Sequence, residues 1–150
     1  METHADRAEA LFRKGYNCSQ SVLAAFAPDL GIPEQTALRI ACGFGGGIGR
    51  MREVCGAFCG LTAMLGMKYA DPADPADKSR VYAMVQELAG EFRRRNGGRL
   101  LCRDLLGAAP QSAGTQAEAR TPEYYGRRPC VELVRCAADL GEAWLAAHPQ

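Results

Sequence analysis

A glycine-dense segment near residue 45 joins two helical patterns and constrains the fold more than any other feature. Five of the seven residues from 43 to 49 are glycine, which adopts positive φ angles and permits close backbone approach at low cost. Consecutive N–H groups in such a segment can turn inward and bind an anion. We therefore predict a ligand-binding turn formed by Gly45, Gly46, Gly47 and Arg50, with a plain helix-to-helix connection as the alternative.

The rest of the chain has helical rather than strand periodicity. Apolar residues recur every three or four positions, as at Val81, Met84, Leu88 and Phe92, and no segment alternates with a period of two. Good N-cap residues, glycines and prolines mark the ends of these patterns. At 150 residues the chain has the length of one domain. We predict an all-α, single-domain multi-helix bundle over residues 1–150, with the glycine-rich segment connecting two helices.

Three local features are predicted in the middle and later parts of the chain. A helix is expected over residues 51–69, because bulky apolar residues recur there at helical spacing. Small residues between Gly56 and Gly66 leave a shallow side on this helix, which suggests close packing with another helix, as in a homodimer. Residues 108–120 are mostly small and polar, so a mobile surface loop is expected.

Composition and charge exclude several classes of partner. The chain is 47% hydrophobic and 23% charged with a net charge of +1, and it lacks the basic excess typical of nucleic-acid-binding proteins. No apolar run approaches the length of a membrane span, and the N-terminus does not have the pattern of a signal peptide. We expect a cytoplasmic protein with no nucleic-acid or membrane partner.

Seven cysteines are the main chemical signal in this sequence. An odd number cannot all pair within one chain, so we expect reduced, redox-active or metal-bound thiols. Cys42, Cys59 and Cys136 are predicted to be core residues. The other four fall in the first turn of separate predicted helices: Cys18, Cys55, Cys102 and Cys130. Helix N-termini favour an anion, so the pKa values of these four thiols are expected to be lowered.

Several sequence motifs occur in an order that resembles one known protein family. They are residues 15–22 (GYNCSQSV), 43–51 (GFGGGIGRM), 55–60 (CGAFCG) and 102–107 (CRDLLG), followed by Cys130. This order is similar to that of small proteins named for the motif C_GCAxxG_C_C and considered redox-active because of their cysteines. The resemblance covers nearly the whole chain. It implies that Cys18, Cys55, Cys102 and Cys130 are the four family cysteines, whereas Cys59 occupies a variable position.

Three functional hypotheses follow from the residues and the resemblance. In the first, a thiol-dependent redox or electron-transfer protein cycles Cys55 with one or more of the other three family cysteines between thiol and disulfide, serving an unidentified redox partner. In the second, Cys18, Cys55, Cys102 and Cys130 are metal ligands for an iron–sulfur cluster or zinc. In the third, the chain is a helical dimeric interaction module with structural cysteines.

Three sequence observations limit which cofactors and catalytic groups are expected. A domain related to this family occurs in a haem cytochrome, but this chain has no Cys-x-x-Cys-His sequence, so covalent haem attachment is not expected. No Cys-x-x-Cys pair is present either, which weighs against a typical local metal loop. His4 and His148 lie near the chain ends, where fraying is expected, so neither is a strong candidate for a base.

Overall fold

The protein is all-α, as predicted. The structure, a computed structural model, describes residues 1–109, 111 and 114–149, and Pro110, Ser112, Ala113 and Gln150 lie outside the described residues. Within the described part there are nine α-helices: His4–Arg13 (α1), Cys18–Ala25 (α2), Ala27–Leu30 (α3), Glu34–Ala41 (α4), Gly56–Tyr69 (α5), Lys78–Arg95 (α6), Cys102–Leu106 (α7), Pro122–Arg127 (α8) and Cys130–Ala147 (α9). The same residues contain no strand, only an isolated antiparallel bridge between Val54 and Leu101.

The core is built around α2, which packs against α1, α4, α5 and α9. Its residues from Ser21 to Ala25 are all buried. Glycines on neighbouring helices allow the close approach: a Cβ at Gly60 would lie 2.6 Å from the Ser19 carbonyl oxygen, and one at Gly141 would lie 2.6 Å from the Phe26 ring. At Gly60, therefore, the small-residue side of α5 packs against a helix of the same chain.

The start of α2 is set by a capping box that the sequence predicts. The Asn17 side chain accepts a hydrogen bond from the Gln20 N–H, and the Gln20 side chain accepts one from the Asn17 N–H. Asn17 also donates from its side-chain amide to the Cys42 carbonyl at 2.9 Å. The cap thus holds Cys18, the first residue of α2, next to the glycine-rich segment.

The predicted helix over residues 51–69 is too long at its N-terminal end. In the structure α5 begins at Gly56, with Cys55 as its N-cap. Arg52 has a φ of 61°, which no right-handed helix contains. The Cys55 N–H then donates to the Leu100 carbonyl at 2.9 Å and the Cys102 N–H to the Glu53 carbonyl at 2.6 Å. This pairing with distant backbone replaces the first turn of the predicted helix.

Both chain ends pack against the body, contrary to the expected fraying. The His4 ring stacks on Phe26 with centroids 4.3 Å apart and contacts Glu142 at 2.5 Å and Asp29 at 2.7 Å. At the other end, the His148 ring stacks on Trp144. None of the described helices is both long and apolar enough to cross a membrane.

Candidate functional site

One pocket of about 490 Å³ gathers the four family cysteines. Its volume lies in the range typical of small-molecule sites. The cysteines come from the starts of four different helices: Cys18 opens α2, Cys55 caps α5, Cys102 opens α7 and Cys130 opens α9. The structure therefore brings together side chains that are far apart in the sequence and that the helix patterns had already singled out.

Glycines allow the backbone to approach two of these cysteines closely. A Cβ at Gly56 would overlap the Cys18 sulfur, and a Cβ at Gly47 would lie 2.6 Å from the Cys102 Cβ. Any side chain at either position would therefore push a cysteine out of place. Gly56 directly follows Cys55, so the Cys18 sulfur lies at the start of α5 beside the Cys55 backbone.

The glycine-rich segment forms a left-handed turn below the pocket. Residues 46–50 all have positive φ values between 56° and 70°. Ile48 and Arg50 are not glycine, and each pays about 1–2 kcal/mol for a left-handed conformation. Backbone strain of this kind is found preferentially at functional sites. Gly45, Gly46 and Arg50 line the pocket, whereas Gly47 lies against Cys102.

Most N–H groups of this turn are used inside the segment rather than offered to a ligand. The Gly49 N–H donates to the Gly43 carbonyl at 2.8 Å, and the Glu53 N–H donates to the Gly47 carbonyl at 2.8 Å. The Gly46 N–H faces the Cys18 thiol and acts to lower the pKa of that thiol. The turn therefore directs one backbone donor at a cysteine of the pocket.

Burial overrides the expected helix-terminus effect on three of the thiols. Burial raises the pKa of Cys18, raises that of Cys55 well above its ordinary value and raises that of Cys130 to about 12. Negative charge on Cys18 acts in the same direction on the pKa of Cys55 and of Cys130. The N–H groups of residues 57 and 58 oppose the shift at Cys55 but do not reverse it. The predicted lowered pKa values are wrong for these three thiols, because desolvation outweighs the effect of the helix terminus at each of them.

Three arginines converge on one carboxylate at the side of the pocket. The guanidinium groups of Arg50, Arg52 and Arg128 lie 2.6, 3.4 and 3.1 Å from the same Oε1 atom of Glu118. Arg52 also approaches the Cys102 sulfur at 3.7 Å. The arginine cluster thus adjoins the Cys102 thiol. Sequence reasoning had identified Arg50 but not Glu118, because no local pattern connects Glu118 to partners more than sixty positions away.

Comparison with known proteins places the chain in a family. A family model described as "Putative redox-active protein (C_GCAxxG_C_C)" matches residues 16–144. The chain belongs to the C_GCAxxG_C_C family. No curated protein and no solved structure matches it. The C_GCAxxG_C_C name associates the chain with redox activity at cysteine and specifies no reaction.

The segment over residues 108–120, predicted as a mobile surface loop, contributes to the pocket that contains the four family cysteines. Thr115, Ala117 and Glu118 line it. Arg50 donates to the Gly114 carbonyl at 2.6 Å, and Arg120 donates to the carbonyls of residues 12 and 16. Residues 114–120 form no helix or strand and are mostly exposed, so the predicted surface loop is confirmed for this part of the segment, and these contacts hold it against the helices. Its mobility stays a prediction. Pro110, Ser112 and Ala113, which the same prediction covered, lie outside the described residues.

Cys42, Cys59 and Cys136 were predicted to be core residues; the prediction is wrong for Cys42 and Cys59, whereas Cys136 packs against the core although it is only half-buried. Cys42 is exposed and lines the same pocket as the four C_GCAxxG_C_C cysteines. Cys59 is half-buried and lines a different groove, between α5 and α6. Cys136 is half-buried, with the Asn96 side-chain amide 3.7 Å from its sulfur. Five cysteines therefore line the pocket: the four family positions and Cys42.

The donor geometry does not fit a zinc ion. Among residues 1–109, 111 and 114–149, no three or more His, Cys, Asp or Glu side chains are placed so that they could hold a metal ion. A zinc site needs about four ligands at roughly 2.0–2.3 Å from one centre. The four family cysteines line one pocket, but they do not surround one common point as zinc ligands do.

Proposed function

We propose that this chain is a thiol redox protein in which pocket cysteines cycle between dithiol and disulfide. The observation that carries the proposal is the meeting of Cys18, Cys55, Cys102 and Cys130 in one pocket. Thiol–disulfide exchange needs two cysteines on one surface, with one accessible to the substrate. Membership of a family described as redox-active supports the same conclusion.

Cys18 and Cys55 are the proposed disulfide pair. The Cys18 sulfur lies against Gly56, the residue that follows Cys55. Negative charge on Cys18 is the strongest charge effect raising the pKa of the Cys55 thiol. We assign the first attack on the substrate to Cys102, because its half-buried sulfur lies 3.7 Å from the Arg52 guanidinium, a position from which Arg52 can hold an anionic substrate beside it.

We further propose that the protein acts in the cytoplasm. All seven of its cysteines, each among the described residues, are free thiols. The cytoplasm keeps thiols reduced, whereas oxidising compartments favour permanent disulfides. Such a compartment would return the pocket cysteines to the dithiol state after each turnover.

Redox titration of the native protein tests the proposal. The protein is equilibrated between about −350 and −150 mV, in dithiothreitol buffers at the reducing end and glutathione buffers at the oxidising end, quenched with an alkylating agent and analysed by mass spectrometry. We expect two thiols to disappear together as one Cys18–Cys55 disulfide. Cys18→Ser and Cys55→Ser should abolish this couple, and Cys136→Ser, the matched control, should retain it. Absence of any disulfide among the four pocket cysteines over this range would disprove the proposal.

The iron–sulfur alternative has its own test. Anaerobic purification followed by iron and sulfide analysis would reveal a cluster through bound iron and visible absorbance. We expect the purified protein to be colourless and iron-free. Stoichiometric iron that is lost in Cys18→Ser would replace the dithiol proposal with a cluster.

A further inference from the structure

Glu118 shares one carboxylate oxygen among three arginines beside the pocket. The guanidinium groups of Arg50, Arg52 and Arg128 all lie within 3.4 Å of its Oε1 atom. The side chains of Arg50 and Arg52 are 12% exposed and that of Arg128 is 7% exposed. Gathering three like charges in a poorly solvated place is costly unless an anion lies among them. The site is therefore built for negative charge.

Arg52 connects this anion site to a cysteine. Its guanidinium approaches Glu118 at 3.4 Å and the Cys102 sulfur at 3.7 Å. Its Nε atom is buried and has no hydrogen-bond partner, and a charged donor left without an acceptor is expensive. A group that accepts from Nε would remove this cost. An anion at Arg52 would consequently lie beside the Cys102 thiol.

Among the residues of this cluster, Glu118 is the one whose side chain can most easily turn away from the others. Its side chain is 26% exposed, about twice or more the exposure of the arginines. Glutamate has three rotatable side-chain bonds, so its carboxylate can turn into solvent without any change in the backbone. The arginines are held in the poorly solvated wall. A carboxylate from a substrate can thus replace the Glu118 carboxylate without changing the net charge of the cluster.

We propose that Glu118 is a tethered competitor for an anion site whose substrates are small disulfides carrying a carboxylate. The proposal rests on the thiol redox function for the exchange step, whereas anion binding at the arginines is independent of it. The substrate carboxylate takes the place of the Glu118 carboxylate on Arg50, Arg52 and Arg128. Its disulfide is then next to Cys102.

The exchange balances without any further reactant. The deprotonated Cys102 sulfur attacks one substrate sulfur, forming a mixed disulfide and releasing the other half as a thiolate, which takes up the proton lost by Cys102. Cys18 then attacks the Cys102 sulfur and releases the second half as a thiol, and Cys55 attacks the Cys18 sulfur of the resulting disulfide, which forms the Cys18–Cys55 disulfide and returns Cys102 to a thiol. The protein dithiol is oxidised by two electrons, and the substrate disulfide is reduced to two thiols.

Paired probes that differ in charge test this specificity. Dithiobis(nitrobenzoate) carries two carboxylates, and dithiodipyridine is an uncharged disulfide. The rate constants of both are measured in a Cys42→Ser background, because Cys42 is exposed at the same pocket, and mass spectrometry identifies the cysteine that reacts. The readout is the ratio of the anionic to the neutral rate constant at Cys102. Each ratio is normalised to that of free cysteine.

Substitution of the glutamate and substitution of an arginine should change this ratio in opposite directions. Glu118→Gln removes the competitor and should raise the ratio by about tenfold, and Arg52→Gln should lower it by about tenfold, as expected for one charged hydrogen bond. Glu91→Gln and Arg94→Gln break an exposed ion pair on α6 and should leave the ratio unchanged. An unchanged ratio in Glu118→Gln, with circular dichroism showing a folded protein, would overturn the proposal.

A separate measurement distinguishes failure of binding from failure of exchange. Nitrobenzoate carries the carboxylate without a disulfide and should raise the melting temperature of the wild type, more strongly that of Glu118→Gln, and not that of Arg52→Gln. Stabilisation by nitrobenzoate without reaction of Cys102 would retain the anion site and remove the thiol redox function. A normal redox couple without stabilisation by nitrobenzoate would retain the thiol redox function and rule out the anion site.

Discussion

The thiols of Cys18, Cys55 and Cys130 show two opposing effects at the scale of a residue. Each lies at a helix start, where backbone N–H groups favour a thiolate, and each is shielded from water, which favours the neutral thiol. Burial is the larger cause, and it raises the pKa of all three. These three thiols are therefore neutral at pH 7. Reactivity depends on a local partner such as the guanidinium beside Cys102.

The raised pKa of Cys130 predicts how stability depends on pH. An unfolded cysteine has a pKa of about 8.5, whereas burial raises the pKa of folded Cys130 to about 12. Between these values the folded protein binds more protons, so the stabilisation is complete below about pH 8.5 and is lost as pH rises toward 12. Urea unfolding of reduced protein at pH 9, 10 and 11 should show falling stability.

Cys130→Ser is the matched comparison for this pH effect. Its slope of stability against pH should be shallower than that of the wild type, by up to about 1.4 kcal/mol per pH unit. Titrations of lysines, and of tyrosines other than Tyr124, affect both proteins equally and cancel in the difference; Tyr124 does not cancel, because Cys130 contributes to its raised pKa. Identical slopes would show that Cys130 ionises in the folded protein as it does in the unfolded chain.

At the scale of an element, the start of α5 is shaped by what packs against it rather than by helix propensity. Gly56 is the first residue of the helix and lies under the Cys18 sulfur. Gly66 lies in the same helix, and a Cβ there would meet nothing within 4 Å. The two glycines therefore have opposite roles: one permits a close contact, and the other only lowers helix stability.

Alanine at these two positions should have opposite effects. Gly56→Ala should destabilise the protein by about 1–3 kcal/mol, as overpacking does, and displace Cys18. Gly66→Ala should stabilise it by up to about 1 kcal/mol, because alanine is the better helix former. Thermal unfolding measures both, and alkylation of Cys18 in native protein should change only in Gly56→Ala. Equal stability of the two variants would show that the Cys18 contact is not tight.

At the scale of the whole molecule, the pocket joins distant parts of the chain. Cys18 and Cys55 are separated by more than thirty residues, and a disulfide between them would restrict the unfolded chain. The loop-entropy relation gives a stabilisation of about 4 kcal/mol for a loop of this size if the native geometry accepts the bond without strain. Folding and redox state are therefore expected to be coupled.

This coupling predicts a difference in stability between the two redox states. The oxidised protein should unfold at higher urea concentration than the reduced protein. The difference should disappear in Cys18→Ser and persist in Cys136→Ser. An oxidised form less stable than the reduced one would mean that the disulfide distorts the helix starts.

The helical character and the cysteine placement were accessible from local sequence patterns. The Asn17–Gln20 capping box acts within three residues, so these two side chains are sufficient evidence for the start of α2. The four cysteines were identified by their position at predicted helix starts, and the family motif agrees with that selection. Whether these cysteines meet was a separate question.

Features that depend on distant partners were not accessible in this way. The helix predicted from residue 51 begins instead at Gly56, because residues 53 and 55 pair with backbone near residue 101. Glu118 was assigned to a mobile loop, because the composition of its segment is typical of loops and two of its three arginine partners are 66 and 68 positions away. Long-range pairing leaves no local signature.

The sequence by itself determined a helical protein whose cysteines lie at helix starts, because capping and periodicity are short-range interactions. Only the tertiary structure decided that those starts share one pocket, that burial keeps three of the thiols neutral and that an arginine cluster adjoins Cys102. The physical reason is that desolvation and charge pairing depend on every group within a few ångströms. Those groups come from all parts of the chain.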